Sequence, residues 1–275
     1  MKAARIGTTF HESFSLSRPA LVQVISTIAD VSPNRSLKEL LREHTSLGTN
    51  YVKSMPRYAI GAGLLDADRQ LTAFGRYALA HDRMLEQHGT QWLMHYHLSA
   101  PYGPGPAFWH NLVANYFYVG REFTKGQVEE HIARFIESTE GRTLVERTVR
   151  SAATVFLGTY TKPDALGKLG ILDALDGKRY RVVEPVTPPV WAVACALLDY
   201  WAAYYEGRLT ISLDTLTAPG GFVSLFLMGR QEFNEVLRAL QAERYVEVYR
   251  VAPPEQVVLL RQDQEPLLQK LYGTA

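Results

Sequence analysis

The chain has 275 residues, of which 47% are hydrophobic and 21% are charged, and its formal net charge is only +1. This is the composition of a globular protein with enough apolar residues for two or three modules of ordinary domain size. The near-neutral charge excludes a strongly basic protein that coats DNA, so a surface for nucleic acid must be a local basic patch.

The single cysteine, Cys195, excludes a disulfide framework within the chain and a cysteine-rich zinc site. It lies in the apolar run 190–198, which is typical of a buried, unreactive thiol and is too short to cross a membrane. The first residues lack the apolar core of a secretory signal. We therefore expect a cytoplasmic protein with no membrane partner.

The predicted elements begin with an extended arm over residues 6–17 and a helix capped by Ser17. Pro19 fits the first turn of this helix, where a missing N–H is tolerated. Its apolar residues recur with helical spacing, which predicts one buried face: Leu21, Val24, Ile25 and Ile28. The residues 32–34, Ser-Pro-Asn, then predict a break in the chain.

The most informative segment is residues 36–75. Ser36 and Glu39 open a short helix with a capping-box pattern, a Gly-Thr-Asn turn follows at 48–50, and a second helix leads to a hairpin with a polar tip at 66–69. This order is typical of a winged helix-turn-helix, which places one helix in a groove of DNA and a hairpin against phosphates. A winged helix that binds another protein has the same order, so that alternative stays open.

The second helix of this segment carries polar residues that suit DNA. Lys53 and Arg57 are four residues apart and share a face, and they could contact bases or phosphates together with Thr49 and Asn50. Pro56 removes a hydrogen bond from this helix and predicts a kink. In an alternative interpretation the helix begins only near Ser54, which would leave Lys53 in the turn.

The middle of the chain, residues 90–123, is rich in aromatic residues around a Pro/Gly turn at 100–106 and predicts two helices. Two further helices are predicted at 124–137 and 143–157, followed by a small hairpin, which suggests a second helix-helix-wing unit. Arg147 and Arg150 lie on the second of these helices and could follow a phosphate backbone, or they could form an ordinary solvated face.

Prolines 185, 188 and 189 form the clearest linker, and a helix, a short strand near Leu209, another helix at 229–243 and a hairpin follow it. The sequence thus predicts a mainly α protein with small β-hairpins, built from multiple winged helix-turn-helix-like units. We expect three domains: an arm with a winged-helix unit at 1–88, an aromatic helical segment with a second unit at 89–185, and a third unit at 186–275.

His11 and Glu12 in the arm, with Arg18 shortly after them, could bind a metal or a phosphate. Their spacing is not that of a zinc protease. An alternative is that the arm is simply docked on the core through Phe10 and Phe14. The other histidines, His95, His97 and His110, lie among apolar residues and suit packing better than metal binding.

Several of these motifs occur together and in order: residues 10–14 (FHESF) with Arg18, residues 47–53 (LGTNYVK) with Arg57, residues 71–75 (LTAFG) and residues 92–98 (WLMHYHL). In this order they resemble a bacterial family of unknown function, DUF 4007, met in gene clusters for DNA phosphorothioation and phage defence. One branch of that family resembles the nicking component of the Ssp-type system.

The resemblance implies a DNA-directed role in a DNA modification or defence system, with DNA and the other components of that system as partners. The resemblance covers about the first half of the chain. From the residues themselves we predict six DNA contacts: Thr49, Asn50, Lys53, Arg57, Arg147 and Arg150. Should the protein be a nickase, His11, Glu12 and Arg18 would be its catalytic residues, with His11 and Glu12 binding Mg²⁺ or Mn²⁺. The alternative is a non-catalytic adaptor or transcription regulator. A homodimer is left open.

Overall fold

The computed structural model describes residues 5–30, 36–176, 178–250 and 253–274; the predicted break at 32–34 lies outside them. Within these residues the chain forms twelve α-helices: α1 (Arg18–Asp30), α2 (Leu37–His44), α3 (Thr49–Gly61), α4 (Ala73–His81), α5 (His88–Ser99), α6 (Ala107–Asn111), α7 (Lys125–Glu140), α8 (Glu146–Thr161), α9 (Val190–Tyr204), α10 (Leu213–Thr217), α11 (Arg230–Ala242) and α12 (Glu265–Leu271).

Six short strands form two antiparallel sheets of three strands each: β1 (Glu122–Thr124), β2 (Leu172–Ala174), β3 (Arg179–Val182), β4 (Thr210–Ser212), β5 (Val246–Tyr249) and β6 (Gln256–Leu259). The strand order is β1-β3-β2 in the first sheet and β4-β6-β5 in the second. In each sheet a strand from before the helices therefore lies beside the last strand of the following hairpin. The mainly helical fold with small antiparallel strands agrees with the sequence.

Local signals explain where several helices begin. The Ser36 hydroxyl accepts a hydrogen bond from the Glu39 N–H at the start of α2, and Thr72 caps α4 through the Gly75 N–H. Thr124 and Gln127 form a full capping box at the start of α7. These caps satisfy backbone N–H groups that have no partner within a helix.

The helices surround one hydrophobic core that is rich in aromatic side chains. Trp92, Trp109 and Trp201 are fully buried in it, and Trp92 and Trp109 come from the aromatic segment of the sequence. Cys195 is also buried, and burial raises the pKa of its thiol to about 12, so the thiol stays protonated and unreactive. None of the helices in the described residues is long and apolar enough to span a membrane.

The α3 helix forms over its whole predicted length despite an internal proline. It begins at Thr49, so Lys53 lies within the helix, and the interpretation that the helix begins near Ser54 is wrong. Pro56 is buried, and the Ser54 hydroxyl donates to the Asn50 carbonyl at 2.9 Å. The helix therefore stays unbroken at the buried proline, and Lys53 and Arg57 on either side of it remain exposed.

Candidate nucleic-acid interface

The α3 helix presents a polar outer face. Its apolar residues Val52, Met55 and Ala59 are buried. Thr49, Asn50, Lys53 and Arg57 are all exposed on the other side. The structure therefore brings together the four residues that the sequence singles out on this helix, on a surface that a ligand can reach.

A surface groove of about 240 Å³ runs along this face. It is lined by four cationic side chains from three elements: Lys38 of α2, Lys53 and Arg57 of α3, and Arg69 at the hairpin tip. All four are exposed. Lys38, Lys53 and Arg69 make no ion pair or side-chain hydrogen bond within the described part of the chain. The groove is thus a local basic patch on a nearly neutral protein.

Lys38 and Arg69 are absent from the predicted DNA contacts. A signal for Arg69 exists in the sequence, because it belongs to the polar tip of the hairpin that a winged helix would use against phosphates. Lys38 follows the capping residue Ser36 by only two positions, and its place in the groove depends on how α2 packs on α3. That packing is not readable from local sequence.

The arm lies against α3. The Arg57 guanidinium bonds to the Phe10 carbonyl at 3.3 Å and pairs with a Glu12 carboxylate oxygen, also at 3.3 Å. The Tyr58 hydroxyl donates to the Phe14 carbonyl at 3.0 Å, and the rings of Phe10 and Tyr58 meet edge to face. His11 and Glu12 therefore lie beside the polar face of α3.

The arm turns sharply at Glu12 and Ser13, whose φ angles of 46° and 67° both fall in the left-handed region. The Phe14 N–H donates to the His11 carbonyl at 2.8 Å and closes the turn. Turns with two such central residues normally carry Gly, Asn or Asp there. Non-glycine residues in this conformation cost free energy, and such strain concentrates at functional sites.

His11 is buried at one end of this turn, with 2% of its surface exposed. Its Nδ1 accepts the Ser13 N–H at 2.9 Å, and its Nε2 has no hydrogen-bond partner. Burial lowers the pKa of His11 to about 4, against a smaller opposing effect of the Glu12 carboxylate. At neutral pH the imidazole is therefore uncharged and carries its proton on Nε2.

The arm also contacts α8 on its other side. The Ser151 hydroxyl donates to the Ser13 hydroxyl at 3.1 Å, and Lys162 reaches the Ser15 hydroxyl at 3.4 Å. Arg147 and Arg150 are exposed near the start of α8, where Arg150 pairs with Glu146 and Arg147 has no partner among the described residues. The arm therefore lies between α3 and α8, which carry the two predicted sets of DNA contacts.

Arg18 is not part of this surface. Its guanidinium is buried and donates to the carbonyls of Ala165, Leu85 and Pro163 at 2.7, 3.1 and 2.6 Å. These carbonyls come from the segment after α8 and from the segment before α5. The side chain thus ties the start of α1 to two loops through backbone oxygens, and it also pairs with the Glu86 carboxylate at 3.7 Å.

Among the described residues, no group of three or more His, Cys, Asp or Glu side chains could hold a metal ion. Mg²⁺ prefers oxygen ligands and commonly binds through one or two carboxylates together with water and substrate phosphates. Glu12 supplies one carboxylate of this kind, and in the structure this carboxylate is paired with Arg57. His11 offers a protonated Nε2, which is not a ligand in that form.

The remaining histidines of the aromatic segment are built into the core. His95 is buried between the Tyr160 hydroxyl, 2.8 Å from Nδ1, and the Leu225 carbonyl, 2.6 Å from Nε2. His110 bonds to the Ser99 carbonyl at 2.7 Å, and His97 stacks on Phe74. These contacts agree with the packing role that the apolar surroundings suggest.

The fold and this surface define a mainly helical protein with a basic groove beside a strained polar arm. The chain belongs to the family described as "Protein of unknown function (DUF4007)", which matches residues 9–272. No curated protein sequence matches it at a significant level.

Two solved structures share the fold. A crystal structure of SspB has a TM-score of 0.80 and 18% sequence identity, covering 99% of this chain and 90% of the SspB chain. A crystal structure of SspB with bound magnesium ion has a TM-score of 0.81 and 16% identity, covering 99% and 89% of the two chains. At these identities the likeness extends to the fold alone.

Proposed function

We propose that this protein binds DNA through α3 and the basic groove, as a component of a bacterial DNA phosphorothioation or phage-defence system. The observation that carries the proposal is the convergence of four cations from α2, α3 and the hairpin tip on one groove. Three of these cations have no partner within the described residues, so they are available to phosphates. The SspB-like fold and the family membership support the assignment to such a system.

The order of the elements supports winged helix-turn-helix units. The C-terminal part runs α9, β4, α10, α11, β5, β6, with β4 beside β6. The middle part runs β1, α7, α8, β2, β3, with β1 beside β3. In the first part, α2 and α3 lead to a hairpin whose strands are reduced to a single bridge between Leu65 and Leu71. We retain the three predicted units, 1–88, 89–185 and 186–275, on this basis.

In this proposal Thr49 and Asn50 lie at the start of α3, where backbone N–H groups and the helix dipole favour a phosphate. Lys53 and Arg57 continue along the same face, and Lys38 and Arg69 flank it. Phosphate contacts of this kind give affinity without sequence specificity. Arg147 and Arg150 of α8 extend the DNA path beyond the arm.

The experiment compares DNA affinity among charge-removing variants in a fluorescence anisotropy assay with a short duplex. Lys53→Ala and Arg69→Ala should each weaken binding about three- to tenfold, since each removes one phosphate contact. Arg83→Ala, an exposed arginine without a partner among the described residues, is the matched control and should leave binding unchanged. Equal effects of all three variants would show non-specific attraction, and no effect of any would refute the proposed surface.

A second candidate function is DNA nicking at the arm. It is favoured by the strained turn at Glu12 and Ser13 beside the groove and by the magnesium ion bound in one SspB structure. Glu12 would hold a divalent ion, Mg²⁺ or Mn²⁺, together with water and DNA phosphates. Such an ion activates water for attack on a phosphodiester. His11 would support the arm, and its Nε2–H could donate a hydrogen bond to a nearby oxygen.

Nicking is tested on supercoiled plasmid with Mg²⁺ or Mn²⁺. Glu12→Gln keeps the size of the side chain and removes its charge, and His11→Gln removes the imidazole; both should abolish nicking if the arm is the site. Glu137→Gln, an exposed carboxylate of α7, is the control. Nicking that survives in both arm variants would refute this site. DNA binding without any nicking by the wild-type protein would favour the adaptor or regulator instead.

We further propose that the protein acts in the cytoplasm with other components of its system. The oligomeric states to be compared are a monomer and a homodimer. Light scattering across a concentration series, with and without duplex DNA, distinguishes a monomer from a dimer.

A further inference from the structure

A second concave site lies away from the residues assigned to DNA. It is a cavity of about 370 Å³ between the C-terminal ends of α5 and α9 and the Pro/Gly loop that follows α5. Four tyrosines, two carboxylates and one histidine contribute to its lining: Tyr96, Tyr102, Tyr200, Tyr204, Asp199, Glu206 and His97. The proposed function uses none of these residues.

Three of the four tyrosines pack ring against ring. The rings of Tyr200 and Tyr204 are stacked, with centroids 5.1 Å apart and planes 5° apart, and Tyr102 packs on Tyr204 at 4.9 Å. Burial raises the pKa of Tyr96 and of Tyr200, so both hydroxyls stay protonated. The electron-rich faces of such rings attract cations.

The charged groups of the cavity are negative. The Tyr96 hydroxyl donates to Asp199 Oδ2 at 2.8 Å, and no cationic side chain in the described ranges pairs with Asp199 or Glu206. Burial lowers the pKa of His97, so this imidazole is uncharged at neutral pH and does not offset the carboxylates. Among the described residues, the two carboxylates of the cavity therefore have no ion pair with a cationic side chain.

The backbone makes the electrostatic potential of the cavity more negative. Both α5 and α9 end at the cavity, at Ser99 and Tyr204, and the C-terminal end of a helix favours positive charge. One cation of the chain is already bound at the rim: the Arg5 guanidinium donates to the Ala100 carbonyl at 3.0 Å and to the Pro101 carbonyl. Aromatic faces, carboxylates and carbonyls together select a cation and repel a phosphate backbone.

We propose that this cavity binds an organic cation, namely a primary ammonium or guanidinium group on a short alkyl chain. The group lies among the tyrosine rings and pairs with Asp199, while Glu206 at the surface attracts it. The source is either a free diamine or a lysine or arginine side chain of a partner protein. The site is independent of DNA binding, so the DNA proposal can fail while this one holds.

Isothermal titration calorimetry of the full chain tests the proposal with two probes, putrescine and N-acetyl-arginine amide. The neutral diol 1,4-butanediol matches putrescine in size and should not bind, because it lacks the charge. Asp199→Asn keeps an acceptor for the Tyr96 hydroxyl and removes the charge, and should weaken cation binding about tenfold. Asp173→Asn, an exposed carboxylate of β2, is the matched control and should leave binding unchanged.

Saturable binding of either probe that weakens in Asp199→Asn supports the proposal, and the stronger probe identifies the source as a free amine or a protein side chain. Circular dichroism confirms that each variant is folded. If Asp199→Asn does not fold, Glu206→Gln, at an exposed position, replaces it and should weaken binding severalfold. The proposal is overturned if neither cation binds in the millimolar range, if the diol binds as well, or if the folded variant at Asp199 or Glu206 binds like the wild type.

Discussion

His11 combines burial, a lowered pKa and an unpaired nitrogen in the most strained segment of the arm. A buried polar atom without a partner costs free energy, so its presence at this position needs an explanation. Either the nitrogen meets a ligand when DNA is bound, or the imidazole is retained for its shape against Phe10. The pH dependence of the unfolding free energy measures how strongly the folded arm disfavours protonated His11.

The folded pKa of His11, about 4, lies below the ordinary value of 6.5, so the unfolded chain takes up the proton first as the pH falls. The stability contributed by neutral His11 is complete above about pH 6.5 and is lost as the pH falls toward 4. Urea unfolding at pH 7 and pH 5 should show a loss in the wild type that exceeds the loss in His11→Gln by about 1 kcal/mol. Equal losses in the two proteins would contradict the buried neutral state.

Ser13 offers a direct measure of the strain in the arm. Ser13→Ala and Ser13→Gly both remove the hydroxyl that accepts from Ser151, but only glycine relieves the left-handed backbone. The glycine variant should therefore be more stable than the alanine variant by about 1 kcal/mol in urea unfolding. If alanine is as stable as glycine, the turn is not strained in solution.

At the scale of elements, Arg18 is a connector between α1 and the loops that it bonds. Replacing it with methionine keeps much of the apolar stem and removes the guanidinium donor from the carbonyls of Ala165, Leu85 and Pro163. We expect Arg18→Met to lose about 3 kcal/mol of unfolding free energy, whereas the exposed Arg83→Met should change by less than about 0.5 kcal/mol. Similar stabilities of the two variants would return Arg18 to the candidates for a functional role.

The helices α1 and α11 were predictable from the sequence. Their apolar residues, among them Leu21 in α1 and Phe233 in α11, recur with helical spacing and so share one face. The strand β1 was not predicted. It has three residues, and its partner is β3, with Glu122 opposite Arg181 far along the chain. A strand this short has no periodicity of its own, since it forms only where the tertiary fold brings its partner beside it.

The residues of the candidate site also divide into those that the sequence predicts and those whose position depends on the tertiary fold. Lys53 and Arg57 were predictable, because their common face follows from helix geometry alone. Lys38 was missed because its place in the groove depends on the packing of α2. Arg18 was grouped with His11 because they are close in sequence, yet the helix that begins at Arg18 directs the guanidinium to loops near Ala165.

At the scale of the whole molecule, the arm joins α3 and α8, and this arrangement predicts one continuous DNA path. If both helices contact the same duplex, Lys53→Ala and Arg147→Ala should each reduce the slope of log affinity against log salt concentration by about 0.9. The double variant should reduce the slope by about twice that amount. Anisotropy titrations over a salt series measure these slopes, and an unchanged slope in Arg147→Ala would place α8 outside the DNA path.

If DNA binds along α3 as proposed, the pair between Arg57 and Glu12 makes the arm a competitor of DNA. A phosphate that bonds to Nη1 of Arg57 has to displace the Glu12 carboxylate, which resembles it in charge. Removing this charge in Glu12→Gln should tighten DNA binding severalfold, because a phosphate then no longer competes with a carboxylate for Arg57. The same substitution should abolish nicking if Glu12 acts on the strand after its displacement. One side chain would then exchange an inhibitory contact for a catalytic one, and DNA itself would trigger the exchange.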